Sequence, residues 1–459
     1  MIPPTSLLSH VPYMAKPRFS YELDDLRQLA ADTLAEARAQ GASEAEGHVS
    51  EGYGQTVSVR KGEIETLEHN RDKEIGISCY VGKKSGYAST SDFSRDAIAN
   101  TVRKALTIAK FTATDDASGL AEPELLAREI SDLDLYHPWD LSVDLAATMA
   151  RECEEAAFAL DRRVTNTEGA SVSCQQSQFA TAMSNGFNGA LRSSRHYISC
   201  SVIASERNQM QRDDWYSSAR SANELASPSA IGDYAGRRAL ARLRSRKIKT
   251  TRAPVLFEAP LANGLIGHFV SAVSGGSLYR KSSFLLDSIG KEIFAPIVNL
   301  REEPHLRRGQ ASSYFDDDGV ATKARDVIRS GVVQGYFLGV YSARKLGMTS
   351  TGSAGGNQNL ILQPGDQDLQ ALIRTMGRGL LVTELMGQGI NIVTGDYSRG
   401  AAGFWVEDGE IKYPVEEVTI AGNLAEMFKN VSAIGNDILT RGSRTTGSIL
   451  IDGMMIAGT

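Results

Sequence analysis

Two stretches of period-two alternation, punctuated by short turn sequences, constrain this chain more than any other feature. The first runs through residues 56–60, 63–69, 75–81 and 86–90, joined by Lys61-Gly62 and by Gly82-Lys83-Lys84-Ser85-Gly86. The second spans residues 164–220 and carries Asn185-Gly186, a dipeptide that accepts the left-handed backbone of a hairpin turn. Alternation puts successive side chains on opposite faces, so both stretches predict antiparallel strands. Around them the apolar period lengthens to that of a helix. Residues 21–40 set Leu23, Leu26, Ala30, Leu34 and Ala37 on one stripe, with Ser20 placed to cap the start and Gly41 the end. Further helices are predicted over 95–110, with Ile98, Val102, Ala105, Leu106 and Ala109 inward, and over 144–161 and 228–247.

Past residue 248 the texture changes. Glycine becomes dense and short strands with turn signals recur, as in 404–407, Asp408-Gly409 and 410–413. The predicted fold class is therefore α+β. An N-terminal domain over 21–248 is an antiparallel sheet with flanking helices, and a β-rich C-terminal domain with mixed helices occupies 249–459. Residues 1–20 read as a tail, disordered or upstream of the true start. The basic run Arg237, Arg238, Arg242, Arg244, Arg246 and Lys247 reads as a solvated face or linker rather than an anion-binding surface.

Composition narrows the function. Lys and Arg total 49 against 55 Asp and Glu, a net charge of -6 that argues against a nucleic-acid binder. No apolar run is long enough to span a bilayer, and the first residues lack a charged segment followed by an apolar one, so a cytoplasmic protein is expected. Cys79, Cys153, Cys174 and Cys200 form no CxxC pair and read as reduced core thiols.

Candidate chemistry is sparse. The two closest of the histidines, His48 and His69, lie 21 residues apart, so no HExxH exists. Asp316-Asp317-Asp318-Gly319 resembles a calcium loop only superficially, because Tyr314 and Arg325 fall on two ligand positions, and it reads as a turn. No G-x-S-x-G elbow, dinucleotide fingerprint or Walker sequence occurs. Gly352-Ser353-Ala354-Gly355-Gly356-Asn357 reads as an ordinary loop. The window Ala262-Asn263-Gly264-Leu265-Ile266-Gly267-His268 has the outline of a metal-protease helix, but it keeps one imidazole where zinc hydrolysis needs two and a nearby carboxylate. Late in the chain, Asp396, Tyr397, Ser398, Arg399 and Gly400 form a polar cluster within a run of small residues. That pattern suits an extended peptide lying along a strand edge, or equally a tightly packed hairpin whose glycines serve turns and bulges.

These segments carry a family resemblance. Gly267-His268 within its helix, Gly275-Gly276-Ser277-Leu278-Tyr279-Arg280-Lys281-Ser282, Tyr341-Ser342-Ala343-Arg344-Lys345-Leu346-Gly347, the stretches 382–389 and 395–405, and Val418-Thr419-Ile420-Ala421-Gly422-Asn423-Leu424 closely resemble the TldD/PmbA family, in its PmbA (TldE) branch. The resemblance implies a cytoplasmic proteolytic system of two related subunits that processes peptides and small labile proteins, including maturation of peptide antibiotics and removal of an antitoxin. The family's older label is modulator of DNA gyrase. Zinc is implied in the TldD-type subunit, held by an HExxxH helix and a later cysteine. In this chain the frame falls on Asn263, Gly264 and His268, and no cysteine follows Cys200. Where a relative carries its cysteine loop, residues 441–447 offer only the hydroxyls of Ser443, Thr445 and Thr446. The expectation is a non-catalytic subunit without metal or cofactor of its own. It would pair with a TldD-type subunit, bind extended peptides, and form a homodimer when isolated. The alternatives are a stand-alone metalloprotease with an unrecognised site, and a peptide-binding homodimer that is no enzyme.

Overall fold

A computed structural model describes residues 19–129 and 131–459, so the tail expected over 1–20 falls outside the described residues except at its last two positions. The chain divides into two compact units: one runs through Leu240 and takes in Asp317–Ala321, and the other comprises Ala241–Asp316 and Thr322–Thr459. Each combines sheets and helices, as the α+β class requires. Among the described residues no helix is long and apolar enough to cross a membrane.

In the N-terminal unit one antiparallel sheet takes the order β3-β2-β1-β4-β5-β6. Its strands are β1 (Glu44–Arg60), β2 (Glu63–Val81), β3 (Lys84–Thr90), β4 (Val164–Met183), β5 (Asn188–Glu206) and β6 (Gln209–Ala219). The β1–β2 connection is the expected tight turn, with Lys61 at φ 52° and Gly62 at φ 79°. Three details differ from expectation. The polar residues between 69 and 75 do not break the strand, because Gln55 to Ser50 of β1 pair with His69 to Glu74 and the ladder needs only main chain. The next turn is Gly82-Lys83 alone, since Lys84 already pairs with Val81. Asn185-Gly186 sits inside a longer connection between β4 and β5, where Met183 N donates to Phe187 O at 2.9 Å.

The flanking helices are α1 (Leu23–Ala39), α2 (Arg95–Phe111), α3 (Val143–Leu160) and α4 (Pro228–Ala241). Leu26, Ala30 and Ala37 of α1 and Val102, Ala105 and Leu106 of α2 share one core with Val49, Ile75 and Ile77 of the sheet. Ser20 does not cap α1. Its N–H donates to Glu51 Oε1 at 2.6 Å, and the helix opens on a reciprocal Glu22–Asp25 capping box. The fourth helix ends at Ala241, short of the expected 247, and Arg244 takes φ 64°. The cations beyond it are engaged: Arg242 pairs with Glu384, Lys247 with Glu417, and Arg246 lies 4.9 Å over the Tyr413 ring.

In the C-terminal unit a second sheet runs β14-β13-β12-β7-β18-β15. It comprises β7 (Thr251–Phe257), β12 (Gly379–Met386), β13 (Asp396–Glu407), β14 (Glu410–Asn423), β15 (Val431–Ile434) and β18 (Ile449–Ala457). Because β14 also pairs with β18, the strands other than β15 close on themselves. The β13–β14 turn is the expected Asp408-Gly409, with φ 54° and 72°. A third sheet has the order β10-β9-β8-β11-β17-β16, from β8 (Leu300–Glu302), β9 (Arg325–Arg329), β10 (Val332–Val333), β11 (Leu360–Leu362), β16 (Leu439–Arg441) and β17 (Arg444–Thr446).

Helix α5 (Ala259–Ala272) follows β7 directly. Its first turn carries Pro260, and its leading amide, Ala259 N, donates to Ser448 Oγ at 3.0 Å. Ala262, Leu265, Ile266, Phe269 and Val270 enter the unit's main core, where Phe294 stacks on Phe428 at 4.3 Å and meets Phe269 edge-on at 5.2 Å. Burying each of the larger of these side chains, from Val to Phe, contributes roughly 1.5–3 kcal/mol. This fixes α5 in rotation, leaving Asn263, Gly264, Gly267 and His268 on the other face. The remaining helices of this unit are α6 (Gly275–Tyr279), α7 (Val340–Leu346), α8 (Leu369–Met376) and α9 (Leu424–Lys429).

Candidate functional site

The outer face of α5 meets two other elements. The β16–β17 hairpin lies across its first half. Asn263 Nδ2 donates to Arg441 O at 3.1 Å and to Arg444 O at 3.2 Å, and Arg444 Nη1 donates back to Asn263 Oδ1 at 3.3 Å. The Arg444 guanidinium rests against Gly267, where a Cβ would stand 3.0 Å from Nη1. A Cβ at Gly264 would meet no atom within 4 Å, so the helix faces open space there.

Strand β13 approaches the second half of the helix. Tyr397 lies edge-on to His268 with ring centroids 6.0 Å apart. Tyr397 and Arg399, two residues apart, share this face of the strand, whereas Asp396 and Ser398 point the other way and are exposed. Asp396 is occupied locally, accepting from Thr394 Oγ1 at 2.6 Å and from Asn423 Nδ2 at 3.3 Å. Gly400 pairs with Met386 of β12 and Thr419 of β14. The strand has no free edge here. Residues 396–400 pair with β14 on one side, and on the other Ser398 N donates to Gly389 O at 2.7 Å and Asn391 N to Asp396 O at 2.9 Å. Of the two readings of this run, the packed hairpin is the one seen, and a peptide could engage these residues only through side chains.

The electrostatics of the cluster are cationic. Burial first, then Arg399 and Arg444, bring the His268 pKa down to about 4, so the imidazole is neutral at physiological pH. Burial pushes the Tyr397 phenol up to about 12, and nearby Arg399 offsets part of that rise. The Tyr397 hydroxyl is nonetheless buried without a hydrogen bond of acceptable geometry, as are Arg399 Nε and Arg444 Nε. Among the described residues neither Arg399 nor Arg444 forms an ion pair with a carboxylate.

The donor set does not fit a zinc ion. Of the three positions Asn263, Gly264 and His268, only the last offers a nitrogen ligand, and the Asn263 amide is committed to the hairpin. The hydroxyls on the hairpin are committed as well: Ser443 Oγ accepts from Asn357 Nδ2, Thr445 bonds Thr440, and Thr446 donates to Ala259 O. Among the described residues no group of three His, Cys, Asp or Glu side chains is placed to hold a metal. The cysteines lie in the N-terminal unit, where burial pushes Cys79 up to about 11 and Cys200 up to about 12, far from the thiolate form. Two guanidinium groups beside one imidazole would also repel a cation.

The structure brings five residues singled out in the sequence, Asn263, Gly264, His268, Tyr397 and Arg399, to the α5–β13 face, and adds Arg444, which the sequence pattern does not mark. That residue stands within the 441–447 segment, where a guanidinium carries no signal of a zinc ligand. A lone arginine beside a hairpin turn was the available signal.

Three family profiles match consecutive parts of the chain: PmbA/TldA metallopeptidase domain 1 at residues 48–109, the central domain at 136–243 and the C-terminal domain at 250–458. The chain is 47% identical to Metalloprotease PmbA of Escherichia coli O157:H7, over 93% of this chain and 94% of that one. It is 46% identical to a Metalloprotease PmbA homolog of Haemophilus influenzae, over 95% and 96%. A Metalloprotease TldD homolog of the latter organism is 21% identical over 80% of each chain. Among solved structures, a candidate modulator of DNA gyrase from Bacteroides thetaiotaomicron superposes with a TM-score of 0.90 at 28% identity, covering 95% of this chain and 99% of that one. TldE from Thermococcus kodakarensis shares the fold at TM-score 0.82 and 20% identity, covering 94% of this chain and 100% of that one. The chain belongs to the PmbA/TldA metallopeptidase family, on its PmbA side.

Proposed function

We propose that this chain is the subunit without metal in a cytoplasmic two-subunit protease whose zinc sits in a TldD-type partner, and that it helps to hold the peptides and small labile proteins the pair processes. The observation that supports this most is the tie between Asn263 and Arg444. It covers the first half of α5 with an amide and a guanidinium, where metal-assisted hydrolysis needs imidazoles and a carboxylate. Tyr397 and Arg399 are the candidate peptide contacts because their side chains face the α5 site, whereas Asp396 and Ser398 point away and Gly400 has no side chain to offer. The test is cleavage of a labelled peptide by this chain, by a TldD-type chain, and by the two together. The reading expects cleavage only when both are present. Cleavage by this chain alone would overturn it in favour of a stand-alone protease.

A further inference from the structure

We infer that Arg399 and Arg444, with the Tyr397 hydroxyl, form a carboxylate-receiving subsite on the outer face of α5, so that the peptides bound here present a free carboxylate. This rests on the peptide-processing reading and specifies its substrate. Arg444, from the β16–β17 hairpin, rests against Gly267, and Arg399, from β13, lies on the same strand face as Tyr397, whose ring meets His268 at 6.0 Å. Each leaves Nε buried without an acceptor, and the Tyr397 hydroxyl, on a residue 1% exposed, lacks one too. Buried donors left unpaired cost stability, and an anion accepting from them would recover it. Among the described residues no acidic side chain pairs with either arginine. The neighbouring cations beyond α4 differ in this respect, since Arg242 and Lys247 are each matched by a glutamate.

The chemistry selects a carboxylate over a cation or a neutral amide. A guanidinium presents paired N–H donors matched to the two oxygens of a carboxylate, and charge-assisted bonds in a partly buried site are the strong ones. A Cβ at Gly264 would meet no atom within 4 Å, so the helix surface one turn before Gly267 and His268 is open. Either a peptide C-terminus or an Asp or Glu side chain would supply this group.

Fluorescence anisotropy with three labelled nine-residue peptides of Ala, Ser and Leu separates the possibilities. One ends in a free carboxylate, one in an amide, and one in an amide with a central Glu. The subsite predicts that the first or the third binds the full-length chain at least about tenfold more tightly than the plain amide. Preference for the first identifies a C-terminal carboxylate, and preference for the third an acidic side chain. Arg399→Gln and Arg444→Gln should close the gap to within about twofold. Because the comparison on the unmodified chain needs no variant, poor folding of either one leaves the test intact. Equal binding of all three peptides, or a gap that survives both variants, overturns the subsite. The peptide-processing reading would stand in that case, since it is judged separately by cleavage with the TldD-type chain.

Discussion

Asn263 and Arg444 hold each other across 181 residues of chain, the guanidinium donating to the amide oxygen at 3.3 Å while the amide nitrogen donates to the arginine carbonyl at 3.2 Å. The pair pins the β16–β17 hairpin to α5. Asn263→Ala removes the donor to two carbonyls and the acceptor for Arg444. A loss of about 1–3 kcal/mol is expected, since those groups are partly buried. For a folding unit the size of the C-terminal one, that corresponds to a Tm drop of roughly 2–4 °C per kcal/mol. Differential scanning calorimetry checks it, and an unchanged Tm would show that the hairpin is held by other contacts.

Acid should weaken the fold through His268. Its pKa falls from the ordinary 6.5 to about 4 in the folded chain, so the unfolded chain takes up the proton first. Stability on this account is fully present above about 6.5 and declines as pH falls toward about 4. After allowance for partial solvent screening, the effect at pH 5 is roughly 1 kcal/mol. Urea unfolding at pH 7 and pH 5 should show a larger acid penalty for the unmodified chain than for His268→Gln. Equal penalties would place the imidazole in an ordinary aqueous setting.

Gly267→Ala separates stability from binding. The new methyl would stand 3.0 Å from Arg444 Nη1, the mobile end of a long side chain, so the guanidinium moves aside cheaply. Alanine also favours a helix over glycine by about 0.5–1 kcal/mol. The expected result is an unchanged or slightly raised Tm together with a several-fold loss of preference for a carboxylate-bearing peptide. A large fall in Tm would mean that Arg444 cannot yield.

Gly389→Ala should do the opposite. A Cβ there would lie 1.8 Å from the Ser398 carbonyl oxygen, a rigid main-chain atom. Residues 387–391 would have to separate from β13, at an expected cost of about 1–3 kcal/mol or more. Limited proteolysis should then cut near residue 389 in the variant and not in the unmodified chain. Matching digests would indicate that the loop adjusts without leaving the strand.

Much of the architecture could be read from local pattern. Lys61-Gly62 and Asp408-Gly409 mark turns whose backbone only a few residue types adopt, and the stripe of Leu26, Ala30 and Ala37 marks the buried face of α1. The polar middle of β2 escaped because its hydrogen bonds come from β1 and leave no trace in its own composition. The site was legible in its parts and not in its assembly. Period two already separates Tyr397 and Arg399 from Asp396 and Ser398, but only the fold shows which pair turns toward α5. Flanking of β13 by β14 and by residues 387–391 is likewise a property of the sheet, invisible in the glycine-rich run that suggested an open edge. Arg444 reaches α5 only because β17 pairs with β11 and β16 in the third sheet.

The most direct test of the central claim is zinc content by inductively coupled plasma mass spectrometry. It should be measured on the purified chain alone and on the chain co-purified with a TldD-type subunit. The proposed role predicts about one zinc per pair and none retained by the chain alone. Stoichiometric zinc in the isolated chain would contradict it.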